Sequence, residues 1–421
     1  MVLLMYLTKE EEKMLDGEYG PAVQYAMKLL TKFGDVFGAE RMVKIVHAHV
    51  SCTTYSIEYA LVDWLDYLVK MGARVRVPTT GMITNIDLEL WRELGIPEEW
   101  YKNTRRLIDH HIKMGFIREF TCTPYFVPGL FLSKGDHVAW CESSAIIFGN
   151  SVMGIRTNRE CCQSALMAAI AGRTPEFGFH LTENRRGVVL VKVKTKLKSV
   201  TDFSLMGYHL AEDMGLRTPV FDGIPHATVE QMDNLAAAFT TRSGISMFHI
   251  VGVTPEAPTL DAAFQGDKPE DTIEFTQADL LNLYKRFREA EVPIQRVYIG
   301  CPHLNLKQVA EVARLINGKK VAKGVTFLVG TTRAVKRAAE EAGYADIIRK
   351  AGGYLISDTC GTAMRHSIGY PWGEPENWVF NGMKQVYYFK PGRGFIGDIK
   401  ECVEAAITGK WRVIKDENSK R

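Results

Sequence analysis

The sequence predicts an α/β protein of three packed modules, and three observations carry that prediction. Apolar strand-like runs alternate with amphipathic helical patterns along most of the chain. In the last third, "RVYIGC", "GVTFLVG" and "GGYLISDTC" begin at 296, 324 and 352 with helical patterns between them, the spacing of βαβ units in a parallel, doubly wound sheet. At 421 residues the chain also exceeds the roughly 250–300 residues that one hydrophobic core organises.

Taken in order, Thr8 and Glu11 have capping-box spacing and the apolar pattern from Pro21 to Phe37 keeps a helical period, so the chain opens with helices. "MVKIVHAHV" (42–50) reads as a buried strand, 55–72 as an amphipathic helix and "ARVRVP" (73–78) as the next strand. From 115 to 260 the pattern is mixed: strand-like "GFIREFTC", helix-like "CCQSALMAAIAG", the alternating "VKVKTKLK" (191–198) and the apolar "SMFHIVGV" (246–253). Gly/Pro-rich joints rather than linkers separate these stretches, giving expected modules of 1–114, 115–260 and 261–421 with parallel or mixed sheets.

Composition excludes several classes of function. Fifty-two basic residues against forty-nine acidic ones leave a net charge of +3 with no long basic block, so no nucleic-acid partner is expected. The alternation at 191–198 puts Lys192, Lys194, Lys196 and Lys198 on one strand face, which solvent explains. The apolar start, Met1 to Leu7, is shorter than a secretory signal core and meets acidic residues at once, and no stretch approaches the length of a membrane span. We therefore expect a cytoplasmic protein with no membrane partner, whose eight cysteines are reduced thiols, metal ligands or catalytic groups.

Three of those cysteines share a setting. Cys122, Cys301 and Cys360 each follow a predicted strand and precede a turn, with Pro124, Pro302 and Gly361 close behind. Ligands of open α/β sheets bind beyond the carboxyl ends of strands, so these thiols are candidates to meet. Three thiolates suit a zinc site with an open position or an iron-sulfur cluster with one free iron, and spacing alone does not choose, nor does it remove the reading of buried apolar thiols. Cys161, Cys162 and Cys402 fall in helical patterns that packing explains, whereas Cys52 and Cys141 lie in polar loops.

Candidate substrate contacts come from polar loops at other strand ends. "HVSCTT" offers His49 and Ser51, with Thr54 as a helix cap, and "VPTTGMITN" offers Thr79 and Thr80. The segment 140–161 adds Glu142, Ser143, Asn150 and the forked donor Arg156, with Arg159 nearby; Lys384 follows a late apolar strand and suits an anion. His303, two residues beyond Cys301, is placed to support a metal ligand. Gly-x-Ser-x-Gly, Walker A and Gly-x-Gly-x-x-Gly signatures are missing.

The ordered motifs "TCTPY" (121–125), "ESSAIIFGNSVMGIRTNRE" (142–160), "GRTPEFGFHL" (172–181), "MFHIVGVTPEAP" (247–258), "GCPHL" (300–304) and "SDTCGT" (357–362) resemble the aconitase X family across nearly the whole chain. The resemblance implies an aconitase-like α/β fold lacking the swivelling domain, and an iron-sulfur cluster on Cys122, Cys301 and Cys360. A 4Fe-4S cubane with one open iron is the preferred form; a two-iron cluster is the alternative, since the Cys-x2-Cys pair of ordinary aconitases is missing. It further implies a hydro-lyase that works with a small subunit carrying the swivelling domain and the catalytic base. The implied substrate is a phosphorylated hydroxy acid, mevalonate 5-phosphate, converted to trans-anhydromevalonate 5-phosphate; cis-3-hydroxy-L-proline is the other family substrate. A cluster-bearing redox sensor or binding module, and a zinc hydrolase, stand as readings of other classes.

Overall fold

The structure, a computed structural model, describes residues 5–51, 58–288, 290–361, 377–389 and 394–411. Its opening helices follow their local signals. The Thr8 hydroxyl accepts from the Glu11 N–H at 3.3 Å and the Glu11 carboxylate from the Thr8 N–H at 2.8 Å, which closes the capping box on Lys9–Asp16. Pro at the first position opens Pro21–Val36, whose Ala22, Val23, Ala26, Met27 and Leu30 are buried on one face.

Three parallel sheets follow, each with its first strand inside. The first contains β1 (His47–Ser51), β2 (Thr79–Met82) and β3 (Val138–Trp140), with β1 between the other two. The second contains β4 (Val189–Val193), β5 (Pro219–Asp222), β6 (His249–Ile250) and β7 (Asp271–Phe275) in the order β6-β5-β4-β7. The third contains β8 (Arg296–Leu304), β9 (Thr326–Thr331), β10 (Tyr354–Ile356), β11 (Trp378–Phe380) and β12 (Gly394–Ile396) in the order β10-β9-β8-β11-β12. Later strands thus add on both sides of the first, and a crevice opens at its carboxyl end where the connections diverge.

The strands expected in the last third form as read, because runs such as Val297–Ile299 and Phe327–Val329 are buried on both faces, as parallel strands covered by helices must be. Elsewhere the pattern misleads. "MVKIVHAHV" divides into Met42–Lys44, which pairs antiparallel with Arg173–Pro175, and β1. Residues 73–78 form no strand: the Val75 N–H donates to the Met114 carbonyl and the Arg76 N–H to the Ala169 carbonyl, both at 2.8 Å, so helix ends take the place of a sheet partner. The strand begins only after Pro78, and the lysine alternation leaves its sheet at Val193.

The three sheets occupy 47–140, 189–275 and 296–396, so the joints expected at 114 and 260 fall inside the first and second units. One apolar core joins all three: it runs from Ile86 and Trp91 through Val189, Phe203 and Phe221 to Tyr298 and Phe380. Among the described residues no helix is long and apolar enough to cross a membrane.

Buried ion pairs fasten the units at two places. Arg185, with no exposed surface, donates to Glu256 of the second unit at 2.6 and 2.9 Å. It also donates to the Asn150 side-chain and main-chain oxygens at 3.0 Å, and to the carbonyls of Phe179 at 3.0 Å and Ile155 at 3.1 Å. On the other side Lys336 of the third unit meets Asp87 of the first at 3.1 Å. Replacing Arg185 by Ala strands Glu256 and three carbonyls at once, so denaturant unfolding of R185A should show a loss of about 3–5 kcal/mol. A loss under about 1 kcal/mol would show that the joint tolerates the gap.

Candidate active site

The carboxyl ends of the first and third sheets face a common cavity of about 350 Å³. Cys122, Cys301 and Cys360 all line it, together with Ser51, Glu142, Ser143, Tyr298, His303, Lys384 and Tyr388. Ser51 ends β1, Glu142 follows β3 as the residue before the helix Ser143–Phe148, and Lys384 sits in the helix Met383–Tyr388 after β11. None of these side chains comes from the second sheet, which buttresses the wall from behind: the Tyr125 phenol, stacked on Phe148, donates to Asp233.

Each cysteine is aimed by its own local device. Cys301 lies near the end of β8 just after Gly300, whose φ of 139° and close approach to β9 admit no side chain; a Cβ there would stand 2.6 Å from the Gly330 carbonyl oxygen. Cys122 follows a short extended segment that leans on β2, with the Thr121 N–H donating to the Gly81 carbonyl at 3.0 Å. Cys360 follows a turn in which Asp358 adopts the left-handed region, φ 56°. That turn is clamped from outside. Asp87 accepts the Ser357 N–H at 2.8 Å, Arg333 pairs with the Asp358 carboxylate, and the Thr84 hydroxyl donates to the Asp358 carbonyl. Burial pushes the Asp358 carboxyl up to about 6 against the pull of Arg333.

Burial dominates the electrostatics of the cavity thiols, and the Lys384 ammonium only partly offsets it at Cys301. Burial raises the Cys122 thiol well above its ordinary range, with the sulfurs of Cys301 and Cys360 adding to the shift, and burial pushes Cys301 up to about 12. A soft, highly charged centre would supply what their ionisation lacks, so this donor set fits an iron-sulfur group. Among the described residues no three His, Cys, Asp or Glu side chains are grouped to hold a single metal ion. A polynuclear cluster spreads its thiolates over several irons and needs no such tight grouping. Cys141 lines the cavity as well, but its thiol donates to the Ser51 carbonyl at 3.6 Å.

Among the described residues that line the cavity, Lys384 is the cation. Its ammonium lies 3.1 Å from the Ser143 hydroxyl and 3.4 Å from the Glu142 carboxylate. Burial opposes its charge, but Glu142 and the Cys301 sulfur outweigh burial and hold the proton on. Glu142 also accepts from Ser51 and Ser143, each at 3.5 Å.

Of the residues expected from the sequence to contact substrate, Ser51, Glu142, Ser143 and Lys384 meet on the cavity wall, and five others are committed to the scaffold. His49 and Thr80 bond each other at 2.8 Å beneath Trp140, whose indole donates to His47 at 2.9 Å. Thr79 donates to the Val77 carbonyl, and Asn150 donates to the carbonyls of Thr157 and Ser246 and accepts from Arg185. Arg156 donates to the His180 carbonyl at 2.7 Å and the Thr182 hydroxyl at 2.9 Å. Thr79, Asn150 and Arg156 satisfy backbone carbonyls and His49 and Thr80 satisfy each other, demands that look the same in sequence as ligand binding. Tyr298 and Tyr388 were not anticipated on the wall; Tyr298 was hidden in an apolar strand. Cys162 is disulfide-bonded, contrary to the expectation that the eight cysteines are reduced thiols, metal ligands or catalytic groups. Cys52 and Thr54 lie outside the described residues.

Three consecutive family models match the chain: the aconitase X first domain over residues 4–183, the second domain over 187–285 and the third domain over 294–408. The chain is 38% identical to the phosphomevalonate dehydratase large subunit of Methanothermobacter thermautotrophicus, over 85% of this chain and 88% of that protein. It is 31% identical to the cis-3-hydroxy-L-proline dehydratase of Pseudomonas aeruginosa, over 95% of this chain and 70% of that one. The crystal structure of the holo form of Thermococcus kodakaraensis aconitase X superposes with a TM-score of 0.84 at 34% identity, covering 96% of this chain and all of that one.

Because burial keeps the proton on Cys122 and Cys301, the metal-free chain should alkylate unevenly. At pH 8 iodoacetamide should label the exposed Cys161 first and these two at least about tenfold more slowly, read by peptide mass spectrometry. Equal rates would mean that the cavity thiols are already ionised.

Proposed function

Because this chain belongs to the aconitase X family and is a hydro-lyase, we propose that it is the large subunit of an iron-sulfur-dependent dehydratase that converts mevalonate 5-phosphate to trans-anhydromevalonate 5-phosphate. The observation that carries the reading is one cavity lined both by three half-buried thiols and by the Lys384–Glu142–Ser143 group. Cys122, Cys301 and Cys360 would hold the cluster, taken as 4Fe-4S with one iron open. When bound, it supplies Lewis acidity toward the departing hydroxyl.

The reaction removes a proton from the carbon next to the carboxylate and expels the β hydroxyl as water, leaving a double bond. Lys384 offers a fixed positive charge to the substrate carboxylate, where negative charge grows as the proton leaves. Ser51 and Ser143 now donate to Glu142 and can turn to the same carboxylate, with Glu142 holding all three groups in register.

The described residues of the wall leave no uncommitted general base. Both ring nitrogens of His303 are hydrogen-bonded and Glu142 is paired with Lys384. This supports a base from a second polypeptide, in keeping with the "large subunit" in the name of the Methanothermobacter relative. We take that partner to be a small subunit carrying the swivelling domain.

The test is anaerobic co-expression with the small-subunit candidate, followed by iron and sulfide analysis and parallel dehydration assays. Iron, sulfide and turnover of mevalonate 5-phosphate are the expected result. Turnover of cis-3-hydroxy-L-proline alone would keep the family chemistry and overturn the substrate; an iron-free active complex would overturn the cluster. In the assembled enzyme Lys384→Met should lower kcat/KM by about a hundredfold or more. A change under about threefold would remove Lys384 from substrate recognition.

A further inference from the structure

Three proposed cluster ligands drawn from positions 122, 301 and 360 have no covalent reason to keep a fixed mutual geometry, yet one residue touches the setting of all three. We propose that His303 is the positioning residue that fixes the three cysteines relative to one another. This inference rests on the reading that those cysteines hold an iron-sulfur cluster.

The argument is atomic. His303 stands two residues beyond Cys301 on β8, so it moves with that ligand. Its Nε2 lies 3.0 Å from the carbonyl of Thr359, the residue before Cys360, and since a carbonyl only accepts, Nε2 carries the proton. Its Nδ1 lies 3.0 Å from the hydroxyl of Thr121, the residue before Cys122. Thr121 in turn is oriented by the Thr123 N–H at 3.0 Å and the Thr123 hydroxyl at 2.9 Å. Both ring nitrogens are thus engaged, and His303 is only 3% exposed, which leaves water little room to replace it. The imidazole is therefore a rigid spacer between the two neighbouring cysteine loops, anchored on the strand of the third.

The experiment uses the full chain with its partner subunit, loaded anaerobically, and compares wild type with His303→Ala, His303→Gln, Thr121→Val and Cys301→Ser. Iron and sulfide content, the rate of iron loss to a ferrous chelator, and the resonance Raman iron-sulfur stretching pattern are read for each. His303→Ala is expected to lose iron at least about tenfold faster and to shift the stretching pattern, as is usual when the partner of a metal ligand is removed. His303→Gln, whose amide N–H can reach the Thr359 carbonyl, should recover most of both. Thr121→Val removes one arm of the strut with little change of volume, and decides the matter with a threefold or greater acceleration should His303→Ala fail to fold. Iron loss within twofold of wild type and an unchanged pattern in the His303 and Thr121 variants, while Cys301→Ser loses its iron, would overturn the inference and leave the cluster reading intact. Faster loss with an unchanged pattern and no rescue by Gln would also overturn it, by reducing His303 to packing. A wild-type complex without iron and sulfide would defeat the cluster reading, and this inference with it.

Discussion

Parallel pairing is the constraint on which the rest of the molecule depends. A parallel strand must be followed by a crossover that returns to the sheet's starting edge, so every strand of a unit delivers its carboxyl end to the same side. Because β1 and β8 are each flanked on both sides, the connections leaving them diverge and open a crevice. Packing the first and third units with those ends facing brings two crevices onto one cavity, and residues as distant as Ser51, Cys122 and Lys384 become neighbours. The apolar core shared by all three units makes that arrangement rigid.

Within the cavity, charge is distributed unevenly. Burial makes ionisation of the Cys122 and Cys301 thiols uphill, whereas the positive charge of Lys384 is secured by Glu142. An anionic substrate entering between them meets one pre-paid positive group on the protein side. The glutamate is held by two serines as well as by the lysine, so its loss would release three donors together.

Much of this was legible in the chain because the last third repeats strand and helix at constant spacing, and because Cys301 and Cys360 fall just where strand patterns end. Cys122 was found by the same rule although its strand shrinks to a single bridge, Gly81 with Phe120. What the chain concealed were long-range commitments. Arg156 and Asn150 have the polarity of ligand-binding residues, yet their partners are backbone groups 24 and 96 residues away. The clamp of Asp87, Lys336 and Arg333 on the turn before Cys360 joins segments some 250 residues apart, and no local pattern announces it. The unit boundaries failed for a related reason: β3 and β7 rejoin their sheets after long excursions that resemble new modules.

The division of the cysteines between units has a consequence for biogenesis. Cys122 belongs to the first unit, whereas Cys301 and Cys360 belong to the third, and the turn before Cys360 is held in place by Asp87 of the first. A chain still being synthesised has one thiol in place while the other two are unmade, and even a released chain lacks the full set until its ends have docked. A site that draws on all three thiols is thus complete only when the first and third units have docked.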